Sequence, residues 1–527
     1  MMSGKTAERT DVANAEKLID LYGADIRYVG TWSKWLVWDG QRWLVDATDA
    51  IQRFAVRTAR VLFESALEHM RTAQTDAQRK TAEAELGWAI QTQNAARLAS
   101  MTKVARSASE IAIRHERLDA DRMLFNVANG TVDLRTGKLR AHERGDLLTK
   151  LAPAEYDPDA KCPLWDAFLL RVMGDDAAMV EYLQRLSGYA LTGEIREHVL
   201  AFFFGRGANG KSTFLRTLHT VLGDYASPAP RGLLFRARGG ERHPTELASL
   251  HGRRFVTCSE IEEGQSFDEA LVKDLTGGDP IECRRMREDF WSFEPTHKLF
   301  IAGNHKPSVR GDDEGIWRRM KLVPWVVTFA AHEQDKQLAE KLLTEAPGIL
   351  AWCVRGCLDW QAKGLSEPAA VSAATKGYRE ESDGLGEFFR LSAVFEPGAS
   401  VARKDLREAY ETHCRENGAE PLGAKRFAGR LRERGVTETA IRKGVSVVNG
   451  WKGIRFSTDA EKTASAVWND RRHVGTCSDQ IPVSPNFSSS RTNNPESVPT
   501  STNIPTSVEA GETLQEWLTA QRIGGEQ

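Results

Sequence analysis

The sequence predicts an α/β chain built on a P-loop core, with an α+β region before it and a small helix–helix–hairpin unit after it. Three observations carry this expectation. The run Gly205-Arg206-Gly207-Ala208-Asn209-Gly210-Lys211-Ser212 reads G-x-x-x-x-G-K-S, the pattern of a phosphate-binding loop. The apolar run Val199 to Phe204 before it reads as a buried strand, and Thr213 to Leu222 after it shows helical spacing and stops at Gly223. Two further apolar strands follow, each ending in a polar or acidic residue, and the pattern changes near Gly384.

The loop carries the most specific chemistry in the chain. Gly205, Gly207 and Gly210 let successive backbone N–H groups turn inward on phosphates, and the helix N-terminus adds partial positive charge. Lys211 is expected to reach the β- and γ-phosphates of ATP, and the Ser212 hydroxyl to ligate Mg²⁺. Arg206, Ala208, Asn209 and Thr213 complete the expected cofactor-binding run.

Bulk properties set the bounds. A length of 527 residues suggests roughly three or four domains, and 41% hydrophobic content supplies real cores. The net charge of −2 leaves nucleic-acid binding to local patches. The 7 cysteines (Cys162, Cys258, Cys283, Cys353, Cys357, Cys414 and Cys477) are scattered with no C-x-x-C pair. That pattern argues against a zinc site or disulfide framework and for a reducing compartment. With no apolar leader and no uninterrupted apolar segment of membrane-spanning length, the expectation is a soluble protein of the cytoplasm, away from membranes.

Along the chain, the expected divisions are an N-terminal α+β domain over 1–160, a helical collar over 161–196, the P-loop core over 197–383, a small C-terminal domain over 384–458 and a tail over 459–527. Ile26 to Val45 alternates around Asp39-Gly40, a hairpin signal. Trp32, Trp35, Trp38 and Trp43 lie there; a packed aromatic face is favoured over base stacking. A long helical region spans Asp49 to His115, polar between Thr72 and Glu85. Short strands follow over Leu124–Leu134 and Thr136–Leu139, then a helical segment from Leu164 to Leu191. Ser478 to Ser507 is dense in Ser, Thr, Asn and Pro and reads as disordered, and Thr513 to Arg522 as a short terminal helix.

Within the core, Arg254 to Glu260 is a second apolar strand ending in an acid, followed by Ile261-Glu262-Glu263-Gly264. A carboxylate that organises Mg²⁺ and the attacking water belongs at this position. Glu260 is the first candidate and Glu262 the second, with a solvated acidic loop as the alternative. Lys298 to Asn304 is a third strand; its terminal amide can hydrogen-bond the γ-phosphate or the water, or simply make a turn. Trp317-Arg318-Arg319-Met320 follows the acidic loop Gly311–Gly315. An arginine delivered to a neighbouring γ-phosphate is worth about 10³–10⁵ in rate; a surface ion pair is the alternative. All these motifs fit between Gly205 and Arg319. One compact lobe must borrow its arginine from another subunit, which implies a ring, with a hexamer as the expected size.

At this point the chain resembles the superfamily 3 helicases, and among them the phage and plasmid primase–helicases related to the poxvirus primase–helicase. The resemblance rests on Asn126–Leu134, Tyr156-Asp157-Pro158, Cys162–Trp165, Gly188–Gly193, the P-loop, Lys273–Pro280, Asn304–Pro307 and Ile316–Arg319, in family order. It implies an AAA+-like lobe in a hexameric ring that unwinds DNA, in this superfamily typically 3′→5′, in a bacterial host cell. It assigns Lys211 and Ser212 to phosphate and Mg²⁺, Glu260 to the metal and water, Asn304 to the sensor and Arg319 to the trans-acting finger. Many members carry two adjacent acids where this chain has Ser259-Glu260, which leaves the division of labour between Glu260 and Glu262 open.

For DNA, the family places a channel hairpin within Ile281–Trp291. Arg284, Arg285 and Arg287 are candidates to grip phosphates of a single strand, with Lys273 nearby, in a sequence-independent and salt-sensitive way; an outward-facing basic loop is the alternative. Ala399–Phe456 holds 13 Lys/Arg against 7 Asp/Glu. Lys425, Arg426, Arg430 and Arg434 fall on an expected helix, and Ile441–Phe456, turning at Asn449-Gly450, reads as a wing. Helices plus wing resemble the family's C-terminal winged-helix domain, which would bind duplex DNA; a solvated basic helix is the alternative. Asp119-Ala120-Asp121 matches the D-x-D of a two-metal polymerase site, but it sits at a helix-to-strand junction in a region too short for a primase. Priming is therefore expected from a separate protein. Two other classes stay in view: another P-loop motor such as a DNA-packaging ATPase, which needs a nuclease domain not found here, and a nucleotide-switched DNA-binding regulator.

Overall fold

The computed structural model describes residues 9–236, 244–258, 264–286, 289–309, 314–416, 421–444 and 446–458, within one compact unit, Met1–Lys462. The polar stretch over 478–507 and the expected terminal helix lie outside the described residues.

Helix α1 (Asp11–Tyr22) begins at Thr10, whose hydroxyl accepts from the Ala13 N–H at 3.1 Å. A meander follows: β1 (Ile26–Val29), β2 (Lys34–Trp38) and β3 (Trp43–Val45). Asp39 turns β2 into β3 by accepting from the Gln41 and Arg42 N–H groups, both at 2.8 Å, with Gly40 at φ +106°. Trp32 and Trp43 are buried and Trp35 and Trp38 half-buried, so the aromatic face is packed. The long helical region is three helices, α2 (Ala50–Thr72), α3 (Asp76–Thr92) and α4 (Ala95–Ala105). Its polar middle breaks where a capping box at Thr75 and Gln78 starts a new helix. β4 (Ala112–Ile113) joins parallel to β1.

Next come β5 (Leu124–Val127), β6 (Gly130–Asp133) and β7 (Lys138–Arg140), an antiparallel sheet. Phe125, Val127, Val132, Leu134 and Tyr156 pack in one continuous core with Trp165, Phe203 and Phe214, so this segment shares its interior with the lobe that follows it. Both carboxylates of the D-x-D run hold the chain here: Asp119 accepts from the Thr149 N–H at 2.7 Å, and Asp121 pairs with Arg135 at 2.7 Å. The helical segment after it is two helices, α5 (Pro163–Val172) and α6 (Ala177–Leu191). Gly174 and Asp175, at φ +64° and +62°, break it, and Asp176 caps α6 by accepting from the Met179 N–H at 3.1 Å.

The central lobe contains β8 (Leu200–Phe204), α7 (Lys211–Leu222), β9 (Ala226–Pro228), α8 (Thr245–Ala248), β10 (Phe255–Cys258), α9 (Glu269–Thr276), the hairpin of β11 (Ile281–Cys283) and β12 (Trp291–Phe293), β13 (Lys298–Gly303), α10 (Glu314–Arg319) and β14 (Met320–Pro324). Five strands form one parallel sheet in the order β14-β8-β13-β10-β9. Along β8, Ala201 and Phe203 join one core and Leu200 and Phe202 the other. A parallel strand covered on both faces must be apolar throughout, which is why this one reads as an unbroken run. Helices α11 (Leu338–Leu343), α12 (Ala346–Lys363) and α13 (Ala369–Ser382) complete the lobe.

A last unit with its own core around Phe388, Leu406, Phe427 and Trp451 holds α14 (Gly384–Ser392), β15 (Ala393–Val394), β16 (Ser400–Ala402), α15 (Arg403–Glu416), α16 (Ala424–Glu433), β17 (Thr437–Lys443), β18 (Ser446–Lys452) and β19 (Arg455–Phe456). The expected hairpin exists, but its turn is at Gly444 (φ +65°), not Asn449-Gly450. Asn449 and Gly450 lie inside β18, opposite Ala440 and Thr439. A Cβ at Gly450 would collide with the Ile441 side chain, so this glycine serves close packing rather than turning.

Candidate functional site

The Gly205–Gly210 loop sits where β8 gives way to α7, and both of its ends are fixed by neighbours. A Cβ on Gly205 would run into the Trp325 carbonyl, so only glycine fits there. Gly210, at φ +88°, caps α7 in the left-handed region and lies against Val172 and Phe168 of α5. Asn209 Nδ2 donates to the Trp325 carbonyl at 3.3 Å, and the Phe329 N–H to the Ala208 carbonyl at 2.9 Å. The segment after β14 thereby clamps the loop from one side.

Lys211 is the first residue of α7 and is buried, with 5% exposure. Its ammonium donates to the Gly205 carbonyl (2.7 Å), Asn209 Oδ1 (3.1 Å) and Asn304 Oδ1 (3.2 Å). Burial pushes its pKa down to about 8, because nothing anionic compensates the lost hydration. Among the described residues this buried ammonium is held by neutral oxygens alone, beside the glycine-rich loop. Ser212 and Thr213, in the first turn of α7, are exposed and half-buried. Arg206, Gly207 and Ala208 line the exposed rim of the loop, Ala208 at φ +57°.

Asn304 follows the last residue of β13, the strand next to β8. Two sequence candidates far apart in the chain, Lys211 and Asn304, thus meet. Glu260 and Glu262 lie outside the described residues; β10, the strand before them, runs parallel to β13 with Cys258 beside Ile301. Arg318 and Arg319 end α10. Arg318 is exposed; Arg319 is half-buried and donates to the Gly315 carbonyl at 2.8 Å. They do not gather with Lys211. β14 begins with Met320 beside Leu200 and ends with Pro324 beside Phe204. At about 3.3 Å per residue the arginines therefore enter the sheet about 16 Å from the loop that follows Phe204.

The basic candidates separate as well. On the hairpin, Ile281 and Cys283 are buried and Glu282 exposed, and the two arginines that follow diverge. The Arg284 guanidinium lies over the Phe290 ring at 4.9 Å, whereas Arg285 lies over Trp32 at 5.1 Å and Trp291 at 5.6 Å. Arg287 lies outside the described residues, and Lys273 is half-buried on α9. Lys425 and Arg426 are exposed on α16. Arg430 pairs with Glu433 at 3.4 Å. Arg434, the residue that caps α16, is tied to Asp383 at 3.0 Å and covers Phe389 at 5.1 Å.

Sequence reasoning passed over two buried cations. Arg254 donates to the Leu191 carbonyl at 2.6 Å, and Lys298 donates to the Thr192 carbonyl and, at 3.2 Å, to that of Glu194. Burial pushes both pKa values down, Lys298 well below the usual lysine range. They flank β10 and β13 and complement the negative end of α6. A cation at the start of an apolar strand was the available signal.

The fold thus sets a glycine-rich loop between a buried parallel strand and a helix, with an amide from just past the adjacent strand on the loop's lysine. Comparison with known proteins gives the kinship. Residues 15–174 match the family described as D5 N terminal like, and residues 203–319 match a family of unknown function, DUF5906. The chain carries these two family segments in tandem. It is 28% identical over 324 residues to a candidate helicase of Acanthamoeba polyphaga mimivirus, covering 56% of this chain and 34% of that protein. It is 22% identical over 329 residues to a candidate helicase of Invertebrate iridescent virus 6, covering 55% and 34%. It is 24% identical over 233 residues to a candidate primase of African swine fever virus, covering 43% and 24%. The chain thus spans about a third or less of the length of these relatives. Among solved structures, the NrS-1 C-terminal region aligns at TM-score 0.47 and 10% identity, covering 83% of this chain and 97% of that one. Among the described residues, no helix is long and apolar enough to cross a membrane.

Proposed function

We propose that this chain is an ATP- and Mg²⁺-dependent replicative DNA helicase of superfamily 3, from a phage, prophage or plasmid. In this reading it forms a ring, with a hexamer as the expected size, moves 3′→5′ and works with a separate primase. The observation that carries the reading is the meeting of Lys211 and Asn304 at 3.2 Å with Arg318 and Arg319 displaced to the far end of the same sheet. That arrangement is half of a hydrolytic site, and a ring supplies the other half. The parallel sheet, with the Asn304 strand between the P-loop strand and β10, supports the AAA+-like reading. The order of α14, α15, α16 and the β17–β18 hairpin supports the winged helix.

The residues present fit a nucleotide. Gly205 and Gly210 fit where a Cβ would strike the Trp325 carbonyl or Val172 of α5, which keeps the loop turned tightly on itself, and Lys211 is a buried cation with no anionic partner among the described residues. Bound MgATP would supply the phosphoanhydride whose hydrolysis drives movement. Lys211 neutralises the β- and γ-phosphate oxygens, and turning toward them costs it only contacts with neutral oxygens. Ser212 offers its exposed hydroxyl to Mg²⁺, and Glu260, or Glu262, orients the attacking water. Asn304, already on Lys211, senses the γ-phosphate without adding charge. Arg319 or Arg318 reaches the phosphate of the adjoining subunit. Arg284, Arg287 and Lys273 hold the single strand, while Lys425, Arg426, Arg430 and Arg434 present the basic face of α16 to duplex DNA.

The test is strand displacement on a forked duplex by the full chain with ATP and Mg²⁺. Unwinding is expected, with loss in Lys211→Ala of at least about 10³-fold in ATP turnover. Lys211→Ala that hydrolyses ATP at the parental rate overturns the site. Nucleotide binding and DNA binding without unwinding would instead favour a nucleotide-switched regulator.

A further inference from the structure

The hairpin β11–β12 does not stand alone. Its buried face, Cys283, Trp291 and Phe293, packs into the central lobe. Its other neighbours come from the N-terminal region. Trp32, in the turn between β1 and β2, is buried and lies 6.1 Å from the Trp291 ring and 5.6 Å from His251. His115 packs edge-on against Trp291 at 5.4 Å and donates through Nε2 to the Ser292 carbonyl at 3.2 Å. Arg122 pairs with Glu294, just past β12. Arg285 closes the cluster, its guanidinium against both Trp32 and Trp291.

The two arginines of the hairpin go to different rings. Both lie just past the end of β11, and with one guanidinium over Phe290 and the other against Trp32 and Trp291 they do not share one face. Arg284 sits beside the exposed Phe290, with Met286 exposed nearby. Arg285 sits on the side of Trp291. A guanidinium against two indoles is a favourable and partly desolvated contact, and drawing it out toward a phosphate would break it.

We infer that the N-terminal region braces the β11–β12 hairpin from behind through Trp32, and that Arg285 is a positioning residue locking this brace rather than a phosphate contact. The inference rests on the reading of the hairpin as the element that holds single-stranded DNA. It gives the N-terminal segment a role in the motor: it sets the angle at which Arg284 and the hairpin tip meet the strand. ATP-driven movement of the hairpin must then either carry Trp32 along or slide past it.

The experiment uses full-length Trp32→Leu, Arg285→Gln and Arg284→Gln, with Trp32→Phe and Arg285→Lys as conservative partners. Each is measured for binding to a fluorescent oligothymidylate across a salt series and for DNA-stimulated against unstimulated ATP turnover. A lost phosphate contact lowers the salt slope on single strands by about 0.7. Arg284→Gln is expected to show that decrease. Arg285→Gln and Trp32→Leu are expected to keep the parental slope yet lose DNA stimulation, each by roughly tenfold, the worth of a desolvated cation–π contact. The double variant should be no worse than either alone, and Trp32→Phe and Arg285→Lys should restore part of the stimulation. Unstimulated turnover of Trp32→Leu should match the parent, which also reports that the protein is folded. A slope lowered by about 0.7 in Arg285→Gln, with Trp32→Leu behaving as parent, overturns the brace. If Arg284→Gln also leaves slope and affinity unchanged, the hairpin does not hold DNA, and the brace falls with that reading.

Discussion

Mixing two inactive variants tests the shared site most directly. Arg318 and Arg319 end α10 just before β14, at the end of the sheet opposite the loop, about 16 Å away at about 3.3 Å per residue. An extended arginine covers less than half of that distance. In the proposed ring, either arginine would therefore act on another subunit's nucleotide. Lys211→Ala removes the phosphate lysine, and Arg319→Ala the finger. Each alone should lose at least about 10³-fold in turnover. When equal amounts co-assemble at random, an interface is complete only if an Arg319→Ala subunit supplies the loop and a Lys211→Ala subunit supplies the arginine. About a quarter of the interfaces in a head-to-tail ring meet that condition. The mixture should thus recover up to about a quarter of parental ATP turnover, read in a coupled assay after the chains are unfolded and reassembled together. A mixture as inactive as its parts would refute the shared site. If Arg319→Ala alone stays active and Arg318→Ala complements instead, the finger is Arg318, the more exposed of the two.

Two predictions follow from buried cations and imidazoles. Lys211 has its pKa pushed down to about 8 by burial, and a bound phosphate would restore its charge; nucleotide binding should take up about half a proton at pH 8 and about a tenth at pH 7. Calorimetry in two buffers of different ionisation enthalpy reads this uptake, and none at pH 8 would remove Lys211 from the phosphate. His297, 2% exposed, is pushed down to about 4 by burial and then by Lys298. The unfolded chain takes up its proton below about pH 6.5 and the folded chain does not until near pH 4. Stability should therefore fall as pH drops through that window, by about 2 kcal/mol at pH 5 from this residue. Urea midpoints of His297→Gln at pH 7 and pH 5 should differ less than those of the parent, and an equal difference would refute the assignment.

How far the sequence could be read depends on the range of the forces involved. β8 was legible because both faces are covered, and an unbroken apolar run admits few alternatives. Asn304 was legible because it ends an apolar strand, and its place beside Lys211 follows once β13 and β8 are neighbours. The wing turn was misread because Asn449-Gly450 is a strong local turn signal; the packing of Ile441 across the hairpin claims that glycine, and Gly444 makes the turn instead. Arg284 and Arg285 are equivalent as charges. The rings they meet separate their fates, Phe290 for Arg284 and Trp291 with the sequence-distant Trp32 for Arg285. Arg254 and Lys298 went unnoticed because their partners are carbonyls at the end of α6, groups that any residue supplies.

The common interior of β5–β7 and the central lobe bears on how such chains can be cut and recombined. A protein started at residue 161 would lay bare the surfaces that Phe125, Val127, Val132, Leu134 and Tyr156 now cover, on the side of the lobe that carries Trp165 and Phe214. The N-terminal helices keep a core of their own, but the first sheet shares its core with Leu147, beyond β7, so a cut before Met123 would open that core as well. The seam of inheritance and the seam of folding need not coincide, and here the matched segment that ends at residue 174 extends beyond the point where its last strands have already become part of the next lobe.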